Sequence, residues 1–235
     1  MTDVPDVQAL LGLKHPPIAI GLSDSAPEGV PAWSGGAVPS GCTFWQKAQQ
    51  GAAFYTRPAD HFNCAIGAYT HNVPLPGDRA AELPETVEFL VSNNYVAMEE
   101  VPGIPTLAKT PNYVAYAPVS GAPFTADVVV AAAQPAQAML LYEACLKAHA
   151  AGAVMNTLGR PGCAIIPLAL NSGSASISLG CKGNRTYTGL PDGEMYVCVP
   201  GSKWAAVAHQ VAEIVKSNEA VGAYHADRKQ QFQTV

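Results

Sequence analysis

The sequence predicts an α/β fold with a mixed sheet, on three observations. Runs rich in β-branched residues alternate with segments of helical period along the whole chain. Several of those runs, IAIGLS and ADVVVAAA among them, are apolar at nearly every position, as buried strands are. The 20 prolines and 21 glycines are spread as turn punctuation and mark no long linker. At 235 residues the chain is long enough for one large domain or two fused halves. We read residues 1–235 as a single domain.

Taken in order, Val7 to Leu13 reads as a short amphipathic helix and Ile18 to Ser23 as a buried strand. After a Gly/Pro/Ser-rich loop, Cys42 to Ala53 is a helix with Ser40 as its N-cap and Gly51 near its end. AFYTRP is a strand, ADHFNCAIGAYTHNVP carries Cys64 into a helix, and Glu82 to Ser92 is helical. NYVAYAPV closes the first half as a strand. The second half opens with the strand ADVVVAAA and a helix begun by Pro135, whose missing N–H costs nothing in a first turn. AVMNTLG is a strand, Cys163 precedes an apolar segment, and EMYVCVP is a strand. Lys203 to Lys216 is an amphipathic helix, and the polar tail from His225 is expected to fray.

The halves invite comparison. KAQQGA, a strand, a turn and Cys64-Ala-Ile in the first correspond to KAHAAGA, a strand, a turn and Cys163-Ala-Ile in the second. NYVAYAPVSG likewise corresponds to EMYVCVPGSK. The expectation is a weak internal duplication, 16–121 and 122–216, with Cys64 and Cys163 at equivalent places about a pseudo-twofold axis.

Composition limits the function. Charged residues are 13% of the chain, about half the usual share, and mean hydropathy is +0.11. No uninterrupted apolar run reaches the ~18 residues of a membrane span. Val128 to Leu141 comes nearest and is broken by Gln134, Pro135 and Gln137. A weakly charged surface points to a homo-oligomer. The net charge of −5, with no Lys/Arg cluster, argues against a nucleic-acid partner. The N-terminus has two early acids and lacks the basic region of a signal peptide, so the expected location is cytoplasmic. Thiols stay reduced there, and six cysteines are then core residues, metal ligands or redox groups.

Those six divide by context. Cys145 lies on the apolar face of a helix and Cys198 in a buried-strand pattern, so both read as core. Cys42 follows Gly41 and Cys64 follows Asn63, each opening a helix. Cys163 follows Pro161-Gly162, and Cys181 sits between Gly180 and Lys182. Helix N-termini and nearby cations favour the thiolate, and glycine lets backbone N–H groups approach sulfur. No tight C-x2-C motif is present, so the spacing alone does not separate four independent thiols from one shared site.

The strings CTFWQKA, FNCAIGAY, ADVVV with QPAQA, GRPGCA and LGCKGNR resemble one family, domain of unknown function 169, the uncharacterised ArCR family. The resemblance runs from about Pro16 to the C-terminal helix. It implies that Cys42, Cys64, Cys163 and Cys181 are the family's landmark set, with Cys145 and Cys198 outside it. No activity comes with it.

Four thiolates suit a [4Fe–4S] cluster or a structural zinc, and ligands scattered over two halves favour the cluster. The expected function is redox or Lewis-acid chemistry on a small molecule, or exchange with an electron-transfer partner. Arg185 and His71 are the first candidates for substrate contact. A non-catalytic zinc- or copper-binding or sensing module, and a metal-free enzyme using one Cys as nucleophile, are the alternatives. His61 and His71 flank Cys64, and Arg57 and Arg160 join Arg185 among the few cations. Asn63, Asn156 and Asn184 sit near the cysteine turns, where Asn often serves left-handed backbone positions. Trp45, Tyr55 and Tyr69 read as core aromatics. The Ser/Gly-rich segment from Asn171 to Gly183 carries no G-x-G-x-x-G, Walker or G-x-S-x-G pattern, so nucleotide binding of those types and a serine-hydrolase elbow are unsupported.

Overall fold

The computed structural model describes residues 4–232. It is an α/β protein built on one seven-stranded mixed sheet. The strands are β1 (Ile18–Ser23), β2 (Phe54–Thr56), β3 (Tyr113–Pro118), β4 (Val128–Ala133), β5 (Asn156–Leu158), β6 (Ser176–Ser178) and β7 (Met195–Pro200). Their spatial order is β2-β3-β1-β4-β7-β6-β5. Every neighbouring pair is antiparallel except β5 with β6.

The unbroken apolar runs have a physical cause: helices cover both faces of the sheet. Alternate residues of a strand point to opposite faces. In β4, Val128, Val130 and Ala132 enter one core while Val129, Ala131 and Ala133 enter the other. The first face is covered by α2 (Cys42–Gln49) and α6 (Ile165–Ser172), which supply Phe44, Trp45, Ile165 and Ile166. The second is covered by α1 (Val7–Leu11), α5 (Pro135–Lys147) and α8 (Gly201–Gln231), through Leu11, Leu141, Val207 and Val211. Burial of each such side chain contributes about 1.5–3 kcal/mol. The shorter helices α3 (Ala65–Thr70) and α7 (Lys182–Thr188) lie at the edge of the first layer, α7 against α2. α4 (Glu82–Ser92) packs outside α3 and buries none of its residues.

Local signals act largely as expected. Asp6 caps α1 through its carboxylate, 3.1 Å from the Ala9 nitrogen, and Gly12 ends it in the left-handed conformation. Pro135 stands in the first turn of α5. The cap of α2 falls at Gly41 rather than Ser40, and no side chain bonds there; the Ser40 hydroxyl meets that of Thr43 instead. The tail does not fray at His225: α8 continues to Gln231, exposed from Lys216 onward. β6 and α7 both arise in a Gly/Ser-rich stretch with little helical or strand signal.

The halves correspond in their strands and in the helix openings at Cys64 and Cys163, and differ in their longer helices. β1 and β4 pair at the centre, and the sequence-matched strands β3 and β7 flank them. A local twofold between antiparallel strands keeps equivalent helices on one face of the sheet. Yet α2 belongs to the first core and α5 to the second. β2 also bonds β3 directly, while β6 separates β5 from β7.

Among the described residues, no helix is long and apolar enough to cross a membrane. The tightest backbone approach is at the start of α8, where Gly201 donates to the Asp127 carbonyl at 2.7 Å. A Cβ on Gly201 would lie 1.8 Å from the Ala126 carbonyl oxygen. Gly201→Ala is therefore expected to destabilise the fold by about 1–3 kcal/mol. The check is a lowered urea midpoint with an unchanged slope.

Candidate functional site

Four cysteines are delivered to one neighbourhood on the first face, each at the opening of a helix. Cys42 is the first residue of α2 and is buried. Cys64 is the N-cap of α3, and its sulfur accepts the Gly67 N–H at 3.3 Å. Cys181 is the N-cap of α7, and its sulfur accepts the Asn184 N–H at 3.4 Å. In both, sulfur takes the place of the oxygen that usually satisfies a free amide in the first turn. Cys163 lies in a single 3-10 turn, Gly162–Ala164, that leads into α6, and it too is buried.

Glycine brings two of these turns together. A Cβ on Gly162 would lie 3.3 Å from the Cys181 nitrogen and 3.4 Å from the Gly180 Cα. The inner thiols, Cys42 and Cys163, are close enough to perturb one another and are buried, while Cys64 and Cys181 are half-buried at the rim.

Charge divides unevenly over this set. Cys42 is held below the ordinary thiol range, first by the hydrogen bond from Cys163 and against the opposing effect of burial, with help from Asn184 and Ser40. Cys163 is pushed well above that range, first by donating to Cys42 and then by burial. The two effects are linked, since the interaction that lowers Cys42 raises Cys163. Burial pushes Cys64 up to about 11, and the charges of Cys42 and Cys181 add to the effect. Cys145 and Cys198 sit apart in the core, fully buried, with pKa values raised by desolvation.

A layer of buried polar side chains surrounds the inner pair. Asn184 is 2% exposed; its amide nitrogen lies 3.5 Å from the Tyr196 hydroxyl, and it also bonds Cys42. Its Oδ1 is buried without a partner, as are the Tyr116 hydroxyl and His71 Nε2. Thr70 Oγ1 is 3.3 Å from the Cys163 sulfur. His61 and His71 stack with ring centroids 5.6 Å apart, and His61 Nε2 meets the Thr56 hydroxyl at 2.8 Å. Unpaired buried polar atoms are rare in native interiors, and three of them share this layer. Among the described residues, no three His, Cys, Asp or Glu side chains are arranged to hold a single metal ion.

The other expected residues take structural places. Arg185 is not free to meet a substrate with its terminal nitrogens: Nη1 donates to Pro191 O at 2.5 Å, and Nη2 to Leu179 O and Glu194 O at 2.5 and 2.9 Å. It clamps the loops on either side of α7. Arg160 pairs with Glu100 at 3.0 Å and lies over Tyr95, and Arg57 lies over Tyr55. The left-handed asparagines are Asn72 and Asn94, none of the three near the cysteine turns. Trp45 is a core residue, edge-on to Tyr196 at 5.2 Å, whereas Tyr55 and Tyr69 are only half-buried. Asn184, Thr70 and Tyr116 carry no motif signal, although Asn184 stands in the LGCKGNR string.

A family model described as uncharacterised ArCR, DUF169, matches residues 6–210. The chain belongs to the uncharacterised ArCR family. No curated protein and no solved structure matches it. All four cysteines of this ArCR protein, and the whole buried polar layer, lie within the matched span.

The two histidines make the ArCR fold acid-sensitive. Burial, reinforced by the charge of His71, lowers His61 to about 3, and burial also lowers His71. The unfolded chain takes up protons near the ordinary histidine value of 6.5, while the folded protein does not until the pH is far lower. Stability is accordingly full above pH ~6.5 and declines as pH falls from there toward about 3. Urea unfolding across that range is expected to show the decline, and His61→Gln to reduce its slope.

Proposed function

We propose that Cys42, Cys64, Cys163 and Cys181 together hold one iron–sulfur cluster, of the [4Fe–4S] type, used for redox or Lewis-acid chemistry on a small molecule. The observation that carries this reading is the delivery of four thiols, from four helix-opening turns, to one neighbourhood lined by buried polar groups. The donor set fits. Thiolates are the usual ligands of such clusters, and the amides of Gly67 and Asn184 already point at two of the sulfurs.

The arrangement also favours a polynuclear group over zinc. Zinc sites usually come from compact knuckles, with four sulfurs about 2.3 Å from one point, whereas these thiols come from four separate turns. A cluster spreads its ligands farther apart. Thiols bind metal as thiolates, so protons on these four would be released on binding. When bound, the cluster supplies one-electron transfer or, with an iron left open, a Lewis-acid centre. The chain's own groups would position a substrate. Of the two residues first expected to do so, His71 keeps a free acceptor nitrogen, and Arg185 is committed to its loops. Substrate or electron partner would approach the half-buried rim formed by Cys64 and Cys181. Six free cysteines suit the reducing, cytoplasmic setting expected from the sequence.

A second reading rests on the inner pair. Cys42, whose pKa the neighbouring Cys163 lowers, is the candidate nucleophile of a metal-free enzyme.

Anaerobic reconstitution followed by iron and sulfide assays separates the two. The expected result is a brown protein whose iron, sulfide and colour are lost in Cys163→Ser and retained in Cys145→Ser. A protein that takes up neither iron nor sulfide, and in which iodoacetamide modifies one cysteine far faster than the rest, would replace the cluster with the nucleophile.

A further inference from the structure

The polar groups under Cys163 form a directed chain, and its direction follows from what each atom can donate. His71 Nδ1 lies 2.9 Å from the Gly67 carbonyl oxygen. A carbonyl only accepts, so Nδ1 carries the ring's hydrogen and Nε2 is the bare nitrogen. The same Nδ1 lies 3.1 Å from Thr70 Oγ1, which can accept a share of that hydrogen. Thr70 then has one proton of its own and two acceptors in reach: the Gly67 carbonyl at 2.9 Å and the Cys163 sulfur at 3.3 Å. The carbonyl is already served by His71. As a cluster ligand the Cys163 sulfur would be anionic and so the stronger acceptor, because a hydrogen bond to a charged group is roughly twice as strong as a neutral one.

We infer that Thr70, oriented by His71, donates a hydrogen bond to the Cys163 sulfur and thereby sets the reduction potential of the cluster bound there. The inference rests on the cluster reading above. Thr70 touches a ligand rather than the reacting atoms, so it is a positioning residue. When the cluster gains one electron, no bond to the protein breaks and the added negative charge spreads onto the ligating sulfurs. A donor aimed at one of those sulfurs stabilises the reduced form more than the oxidised form, and so raises the potential. The site intensifies the effect: Thr70 and Cys163 are both buried, 0% and 5% exposed, so water does not compete for the sulfur. The geometry also explains a buried threonine at the end of a six-residue helix whose other buried residues are Ala and Gly.

The test uses the full chain, reconstituted anaerobically as wild type, Thr70→Val, Thr70→Ala and Thr70→Ser. Valine keeps the shape and removes the donor, and serine keeps the donor. Iron and sulfide contents are measured first, then midpoint potentials by dithionite titration with redox mediators. The expected result is equal loading, a more negative potential in T70V and T70A, and a return toward the wild-type value in T70S. Equal potentials in loaded wild type and loaded T70V overturn this inference and leave the cluster reading intact. A wild type that binds no iron overturns both. Failure of T70V and T70A to load, while T70S loads normally, would make Thr70 a folding residue and overturn the inference as well.

Discussion

Gly162 presses against the backbone of Gly180 and Cys181, and the architecture of the site depends on that contact. It joins the turn that enters α6 to the turn that enters α7, although neither turn carries a regular hydrogen-bond ladder to the other. A side chain there would meet backbone at 3.3 Å, where the neighbouring atoms have little room to give. Once the two turns abut, Asn184 is carried into the interior beside Cys42, and Cys181 is brought to the rim. The helix α2, packed on the sheet through Phe44 and Trp45, presents Cys42 from the other side.

The sheet makes this convergence possible by being rigid. β4 is bonded on both sides, by β1 and β7, and is covered on both faces. Tyr116 of β3 and Tyr196 of β7 stand on the first face, on either side of the central pair, and their hydroxyl ends reach the polar layer around the cysteines. Burial raises both phenols above their usual range, so they stay neutral and serve as hydrogen-bonding groups rather than charges. The two phenols on the floor of the site are therefore polar but uncharged.

The same burial accounts for the protein's costs. Two stacked imidazoles held neutral in the interior make the fold sensitive to acid, and three atoms of the polar layer are without partners. Such features lower stability, each unpaired atom by about 1–3 kcal/mol. They are retained beside four thiols. The second core, among the described residues, is built differently: α5, α8 and the sheet meet there through Leu, Val and Ala. That contrast sets the thiol-bearing face apart from the other.

Much of the fold was legible in the sequence, because it follows from local pattern. The apolar runs marked β1, β4 and β7, and Pro135 marked the start of α5, since those choices depend on residues a few positions apart, whereas α1 stops at Leu11, short of the expected Leu13. The burial of Cys145 and Cys198 was legible too, since each stands in an apolar pattern of its own helix or strand. Three things were decided only in three dimensions. The Ser/Gly-rich stretch became β6 because an open edge of β7 was there to bond it. Arg185 became a loop clamp because carbonyls from both sides of α7 came within reach of one guanidinium. Thr70, Tyr116 and Asn184 joined the site because folding closed distances of scores of residues. Periodicity reports which face a residue occupies, and it carries no information about which distant residue faces it there.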